Sequence, residues 1–340
     1  MSTDRNAAGR SPSPYRVGFI LVPRFSMLAF SSGLEPLRMA NRLADRPLYE
    51  WCLIGESKDD VEASNGLKLT PDTVFDEARD LHLLLVCGGV DIQQVADKAL
   101  IGFLQRAAQR GLALGALCTG TYILAKSTVL DGYRCTIHWE NLASMREAFP
   151  QVVLTTEVFE IDRDRLTSSG GSAPLDMMLH VIAGHHGQEL ANAISEVFIC
   201  ERIRGRHDRQ RIPLRTRLGT SQPKLMEAVA LMEANIEEPM SLDELAHHAS
   251  LSRRQLERLF QKHLGCVPTR YYLELRLQRA RQLLLQTSMS IVDVAFACGF
   301  VSAPHFSKCY RDFFSIPPRD ERRRRKPADT TPAAQQKSVP

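Results

Sequence analysis

The chain is 340 residues long with 44% apolar residues, enough for two or three domains with sizeable cores, which excludes a fibrous or wholly disordered protein. Its formal net charge is only +4, and no apolar run approaches the ~20 residues of a membrane span, so no membrane partner is expected. The charge is shared unevenly: residues 215–340 hold 20 basic and 13 acidic side chains, a net of +7, while residues 1–214 hold 23 and 26, a net of −3. A basic carboxyl-terminal third points to a polyanionic partner. The eight cysteines include no C-x-x-C pair and no metal-ligand spacing, which suits reduced thiols in a cytoplasmic protein and requires neither metal nor cofactor.

Residues 1–14 are polar, with Ser, Pro and Arg but no apolar core, and read as a disordered arm rather than a signal peptide. Residues 15–203 then alternate strand and helix patterns, with strands at 17–22, 51–54, 81–87 and 112–117 and helices at 27–43 and 95–109. Such alternation predicts an α/β domain, a flavodoxin-like parallel sheet with helices on both faces, whose ligands bind beyond the carboxyl ends of the strands.

Three segments meet that edge. Gly115-Ala116-Leu117-Cys118-Thr119-Gly120-Thr121-Tyr122 follows a strand and opens a helix, which places Cys118 on a sharp turn with its sulfur near helix-start amides, where a thiolate or a bound carboxylate is favoured. Cys87-Gly88-Gly89 ends the preceding strand and offers bare backbone N–H groups. Glu35 lies on the helix after the first strand. His138, at the end of a predicted strand in Cys135-Thr136-Ile137-His138-Trp139, is the histidine nearest Cys118 in sequence and is the candidate base if Cys118 is a nucleophile. The alternative is a small packed residue at a tight turn beside a hydrogen-bonded structural histidine. Glu35, Gly88, Gly89, Cys118, Thr119, Gly120 and His138 are therefore the candidate ligand-binding set, and no catalytic residue is assigned, with Cys118, Glu35 and His138 as the candidate remnant of a catalytic site.

Helices are predicted at 173–183 and 188–203, with His185-His186-Gly187 read as the loop between them. Residues 204–222, rich in charge with Pro213 and Gly219, read as an interdomain linker. Its Arg206-His207-Asp208-Arg209-Gln210-Arg211 run either signals between domains or is simply solvated; the sequence leaves both open.

Residues 223–321 contain an internal repeat and predict an all-α domain. Leu242, Leu245, Ala246 and Leu251 recur as Ile291, Val294, Ala295 and Phe300, and Leu256, Phe260, Leu264 and Pro268 recur as Phe306, Tyr310, Phe314 and Pro318. Capping signals mark the helix starts: Ser241 with Glu244, Ser252 with Gln255, a looser Ser290 with Asp293, and Ser302 followed by Pro304. Gly299 suits a left-handed turn between paired helices, and Ser250 holds the equivalent place in the first copy. Each copy is thus a helix-turn-helix whose second helix is free to enter a DNA major groove. Arg254, Glu257, Arg258 and Lys262 in the first copy, and His305, Ser307, Lys308 and Arg311 in the second, are left outward to meet double-stranded DNA. A helix over 270–286, with Leu273, Leu277, Ala280 and Leu284 on one face, joins the copies, and residues 322–340 read as a disordered basic tail.

The residues from Ser241 to Leu264, with Ile291, Ala295, Gly299, Phe300, Phe306, Ser307, Phe314 and Pro318, resemble the AraC/XylS family of bacterial transcription regulators. Ser315 stands where that family usually has Gly, and Glu321 where it often has an aromatic. The resemblance implies that one monomer reads two successive major-groove segments. Leu34-Glu35-Pro36-Leu37-Arg38, Val86-Cys87-Gly88-Gly89, Ala116-Leu117-Cys118-Thr119-Gly120, Thr136-Ile137-His138-Trp139 and Ser169-Gly170-Gly171 resemble the PfpI group of class I glutamine-amidotransferase-like domains. Many enzymes of that group carry His where this chain has Thr119, which weakens a proteolytic or deglycase reading, although isocyanide-hydratase-like members share the Cys-Thr-Gly form. The fusion looks like a GlxA-type regulator, implying a first domain that senses a metabolite and dimerises and a promoter at which RNA polymerase is a partner. Ser32 to Asn41 and Ala63 to Leu67 look like those of regulators of betaine, carnitine, sarcosine or arginine catabolism. That resemblance implies an activator whose effector combines a carboxylate with a cationic nitrogen. Amides at Thr119 and Gly120 would hold the carboxylate, and Glu35, Phe25, Trp139 or Phe159 the cation. The PfpI resemblance implies an alternative for Glu35, a buried carboxyl hydrogen-bonded to Cys118.

Overall fold

The computed structural model describes residues 13–205, 208, 210 and 214–324 and divides into two units between Arg211 and Ile212, inside the stretch expected to link the domains. The expected arm, apart from Ser13 and Pro14, and the tail beyond Arg324 lie outside the described residues.

The first unit runs β1 (Tyr15–Leu21), α1 (Met27–Ala44), β2 (Tyr49–Gly55), the short pair β3 (Val61–Glu62) and β4 (Lys68–Leu69), then β5 (Thr73–Val74), β6 (Leu83–Cys87), α2 (Ile92–Val95) and α3 (Lys98–Gln109). It continues with β7 (Ala113–Leu117), α4 (Thr121–Lys126), β8 (Arg134–Cys135), α5 (Leu142–Ala148), β9 (Val153–Leu154), β10 (Phe159–Asp162), β11 (Arg165–Ser168), α6 (Ala173–His186) and α7 (Gln188–Val197). Seven strands form one sheet in the order β10-β11-β7-β6-β1-β2-β5, parallel throughout except for the antiparallel hairpin β10–β11 at one edge.

Because side chains alternate across a strand, near-continuous apolar runs bury both faces. Phe19, Leu21, Leu83 and Leu85 join Leu37 of α1 and Met177 and Ile182 of α6 in one core. Ile20, Leu84, Val86 and Leu114 join Leu100 and Leu104 of α3 and Ile123 of α4 in the other. Leu21 pairs with Cys87, Cys87 with Leu117, and Leu117 with Ser168, so four parallel strands end level with one another. That common rim is where the loops carrying the candidate pocket emerge.

Three expectations are corrected. His138 does not close a strand: β8 stops at Cys135, and the Thr136 N–H turns to the Thr167 hydroxyl at 2.9 Å. His185 and His186 are not a loop but the last turn of α6, with the His185 Nδ1 3.0 Å from the Tyr49 hydroxyl. Helix α7 stops at Val197 rather than at 203, because Ile199 takes a left-handed backbone (φ 56°) and the chain leaves to cross the first unit.

The second unit comprises α8 (Leu214–Arg217), α9 (Pro223–Ala234), α10 (Leu242–His248), α11 (Arg253–Leu264), α12 (Pro268–Gln286), α13 (Ile291–Ala297), α14 (Ala303–Phe314) and α15 (Pro318–Arg324). Reciprocal capping boxes open α10, α11 and α13, and the Ser302 hydroxyl accepts from the His305 N–H at α14. Leu225, Val229, Leu245, Leu256, Phe260 and Tyr272 form the core of the first helix-turn-helix. Helix α12 begins at Pro268, two residues before the predicted start, and buries Leu277, Ala280 and Leu284 as expected, with Leu283 added and Leu273 only half-buried. Arg322 to Arg324 extend α15, so the helical part of the chain runs past the predicted boundary at 321.

Candidate functional site

The candidate site is built around Cys118, which opens a short turn, Cys118–Gly120, with its backbone in the left-handed region at φ 60°. A non-glycine residue pays in strain for that conformation and holds it only where surrounding structure dictates it. Here the dictation comes from close approach: a Cβ on Gly88 would collide with the backbone nitrogen of Gly120, and one on Gly170 would sit 2.7 Å from the Cys118 sulfur. The Gly88 N–H donates to the Leu117 carbonyl at 3.1 Å, and the Thr119 hydroxyl to the Gly89 carbonyl at 2.6 Å. The Ser26 N–H donates to the Gly88 carbonyl at 3.0 Å, which ties the start of α1 to the same knot. On the far side the Thr121 hydroxyl donates to the Thr136 carbonyl at 2.8 Å and brings His138 and Trp139 toward the turn. Gly88, Gly89, Cys118, Thr119 and Gly120 are thus interlocked by backbone, as their small side chains suggested.

The electrostatics oppose a thiolate. Burial pushes the Cys118 thiol up to about 11 and the nearby Glu140 carboxylate adds to the rise, against the Thr119 N–H, which pulls it down. The expectation that helix-start amides would favour the thiolate is therefore corrected: desolvation outweighs one hydrogen bond. His138 is held below the ordinary imidazole value, first by burial and against the pull of Glu140, whose carboxylate lies 3.7 Å from Nδ1.

Glu35 is placed differently from the resemblance. Its side chain is 41% exposed and takes both Arg38 Nε at 2.8 Å and Nη2 at 2.6 Å, so it is an ion-paired helix residue, not a buried carboxyl bonded to Cys118. The carboxylate acting on Cys118 is Glu140, which the sequence reading missed and which only the turn Trp139–Asn141 brings into range. Among the aromatic candidates, Phe25 and Phe159 are core residues, 0% and 1% exposed, leaving Trp139 as the one that is partly open. The Ala63 to Leu67 motif docks by Ser64 N–H to the Phe25 carbonyl (2.8 Å), and Phe25 bridges Gly89, so this motif reaches the rim. The 490 Å³ cavity lined by Tyr15, Phe75, His82 and Arg106 lies at the other end of the strands, away from Cys118.

In the second unit, Arg254, Arg258 and Lys262 stand at intervals of four along α11, exposed and opposite the buried Leu256 and Phe260. On α14, His305, Lys308 and Arg311 stand at intervals of three, exposed and opposite Phe306 and Tyr310. Two members are less open: Glu257 is half-buried and pairs with Arg253 at 3.2 Å, and Ser307 is half-buried. Left-handed residues fix the turns: Ser250 (φ 53°) before α11 and Gly299 (φ 71°) before α14. Sequence reasoning missed what braces the second turn. The Arg276 guanidinium on α12 donates to the carbonyls of Cys298 (2.8 Å) and Gly299 (2.7 Å) and lies 4.1 Å over the Phe300 ring. Glu321, where an aromatic is usual, is 2% exposed and accepts from the Tyr310 hydroxyl at 3.0 Å and Arg281 at 3.3 Å, so a polar plug replaces a ring.

Residues 32–184 match the model of the DJ-1/PfpI family, and residues 245–324 match that of a helix-turn-helix domain. The chain is 58% identical over 310 residues, 91% of its length and 84% of the relative's, to the HTH-type transcriptional regulator GbdR of Pseudomonas aeruginosa. It is 47% identical over 314 residues, 92% and 94% of the two chains, to the HTH-type transcriptional regulator ArgR of the same species. The crystal structure of an AraC family transcriptional regulator from Pseudomonas putida aligns with 34% identity and a TM-score of 0.51, covering 54% of this chain and all of that one.

Proposed function

The chain belongs to the AraC-type transcriptional regulators that carry an amino-terminal DJ-1/PfpI domain, and on that premise we propose that it is a metabolite-responsive activator of catabolic genes. The observation that carries the reading is the pair of α11 and α14, each with an exposed basic row opposite a buried stripe, preceded by matched left-handed turns. Such rows suit insertion into consecutive major-groove segments of a promoter duplex, with Arg254 and Arg258 reading bases and Lys262, Lys308 and Arg311 contacting bases or phosphates. His305 and Ser307 complete the second face, and Glu257 contributes by orienting Arg253 and by accepting from a cytosine.

The effector is a small molecule with a carboxylate and a cationic nitrogen, such as a betaine, carnitine or an amino acid, bound at the rim around Gly88, Gly89, Cys118, Thr119, Gly120 and His138. Trp139 is the aromatic best placed for the cation, and Glu35 acts from the rim through Arg38. Ligand must favour one state of the protein over another to change promoter occupancy. The first unit also serves as the dimer contact, and RNA polymerase is the downstream partner in the cytoplasm.

A non-enzymatic role is supported by the burial that pushes the Cys118 thiol up to about 11 and by relatives named as regulators. The competing reading is a retained hydrolase or hydratase using Cys118. A thermal-shift series with glycine betaine, carnitine, sarcosine and arginine separates them, because a ligand selective for the native state raises its apparent stability. We expect one of these to raise Tm and Trp139→Ala to abolish the shift, with Cys118→Ser retaining it. Turnover that disappears in Cys118→Ser, with no Tm shift by any of the four, would replace the sensor with an enzyme.

A further inference from the structure

The segment that leaves α7 toward the second unit is fastened to the first unit beside the Cys118 rim. The Arg204 N–H and Nε donate to the two Asp176 oxygens at 2.7 and 2.8 Å, and Nη2 donates to the Ser172 hydroxyl at 2.8 Å. Asp208 closes the segment on itself, accepting from Arg202 at 2.8 and 3.0 Å and from the Gly205 N–H at 2.9 Å. The Val158 N–H donates to the Asp208 carbonyl at 3.2 Å. Finally, the Gln210 amide nitrogen lies 2.7 Å from the Thr136 hydroxyl, 3.0 Å from the Ile137 carbonyl and 2.9 Å from the Glu157 carbonyl.

Several of these fastenings end on residues close in sequence to the candidate site. Thr136 and Ile137 precede His138, and the Thr136 carbonyl already holds the Cys118 turn through Thr121. The Val158 carbonyl accepts from the Ser169 N–H at 2.9 Å, and the next residue, Gly170, lies against the Cys118 sulfur. Ser172 and Asp176 lie at the start of α6, just beyond Gly170 and Gly171. A molecule entering beside Cys118 therefore cannot move His138 or Gly170 without straining bonds that hold this segment.

The fastening is also built to let go. Two amide hydrogens of Gln210 serve three acceptors, and its Oε1 is buried with no hydrogen-bond partner among the described residues. Released into water, that oxygen would regain its partners, so the seated and freed states are closer in free energy than a fully satisfied anchor would allow. Gln210 stands two residues from Ile212, where the second unit begins.

We propose that Arg204, Asp208 and Gln210 form a latch that reads occupancy of the candidate site at Cys118 and passes it to the DNA-binding unit by seating or releasing the connecting segment. The proposal rests on the first unit being the sensor, but its geometry can be tested without an effector, because coupling between two sites acts in both directions.

The test uses the full chain as wild type, Gln210→Ala and Arg204→Met. First, the rate of Cys118 alkylation by iodoacetamide is followed by peptide mass spectrometry. Freeing the latch should loosen the rim and raise that rate severalfold in both variants, with faster amide exchange at Val158 and Ser169. Equal rates and equal exchange in wild type and both variants would overturn the latch. Second, glycine betaine is added, and exchange over residues 202–210 and affinity for a selected promoter duplex are measured. The expected result is altered exchange in wild type and a change in DNA affinity that shrinks toward none in Gln210→Ala. A wild-type Tm raised by glycine betaine, with exchange over 202–210 unaltered, would sink the latch and leave the sensor standing. Latch-dependent Cys118 reactivity with no response to glycine betaine would support the latch and remove glycine betaine from the sensor reading.

Discussion

Cys118 combines a backbone that suits a nucleophile with surroundings that keep its proton. With the thiol pushed up to about 11 by burial, its alkylation should climb steadily from pH 7 to beyond pH 9. A plateau reached below pH 8 would mean an activated thiolate and revive the enzyme reading. The sequence could show the sharp turn, because Gly115 to Tyr122 combines small residues with a strand-to-helix change. It could not show the protonation state, because that depends on desolvation and on Glu140, neither of which has a local sequence signal. At the DNA face the exposed rows were legible from spacing alone, since Leu256 and Phe260 fix which side is inward. Arg254→Ala or Arg258→Ala should cost about 1–3 kcal/mol of binding confined to one base position in a panel of single-base operator variants. A uniform loss over the whole panel would reassign that arginine to a phosphate.

The helices of the second unit were legible because each start carries its own cap and each turn its own left-handed residue. What braces these helices against one another was less so. Arg276 and Tyr272 look like ordinary polar positions on an amphipathic helix, yet Arg276 binds the turn before α14, and the Tyr272 hydroxyl bonds to the Asn235 carbonyl. Glu321 was visible as a departure from the family pattern, and its partners Tyr310 and Arg281 explain how a carboxylate is tolerated at 2% exposure. Glu321→Ala should destabilise the second unit by about 1–3 kcal/mol, because it removes an acceptor from the buried Tyr310 hydroxyl and from the Arg281 guanidinium. Glu321→Gln, which still accepts, should cost less in the same denaturant titration. Equal losses would show that the charge, not the hydrogen bonds, is what matters there. In the first unit, α7 ended early for a related reason. Apolar periodicity continues to Ile203, but the bond from Arg204 to Asp176 takes the chain elsewhere, and a partner 28 residues away leaves no periodic trace.

At the scale of the whole chain, two cores separated between Arg211 and Ile212 predict two unfolding transitions in calorimetry. A promoter duplex should raise the one belonging to the second unit, and an effector the one belonging to the first. A single transition moved equally by both would mean that the units unfold as one. Two domains were readable from the sequence because their hydrophobic periods differ, whereas the fastening of Arg204, Asp208 and Gln210 was not, because charged side chains in a linker look alike whether solvated or paired. The two helix-turn-helix copies also differ in a way that bears on their history. The first has Ser250 at its turn (φ 53°) and Gly265 at the end of its second helix (φ 68°), while the second has Gly299 (φ 71°) and Ser315 (φ 62°) in those places. After duplication, each copy has therefore kept one relaxed and one strained left-handed position, at opposite ends of its reading helix. That distribution leaves each half a reserve of stability that a single mutation can recover, Ser250→Gly in one and Ser315→Gly in the other. The halves are thus free to evolve new operator preferences separately, since a destabilising change on one reading face can be offset within its own copy.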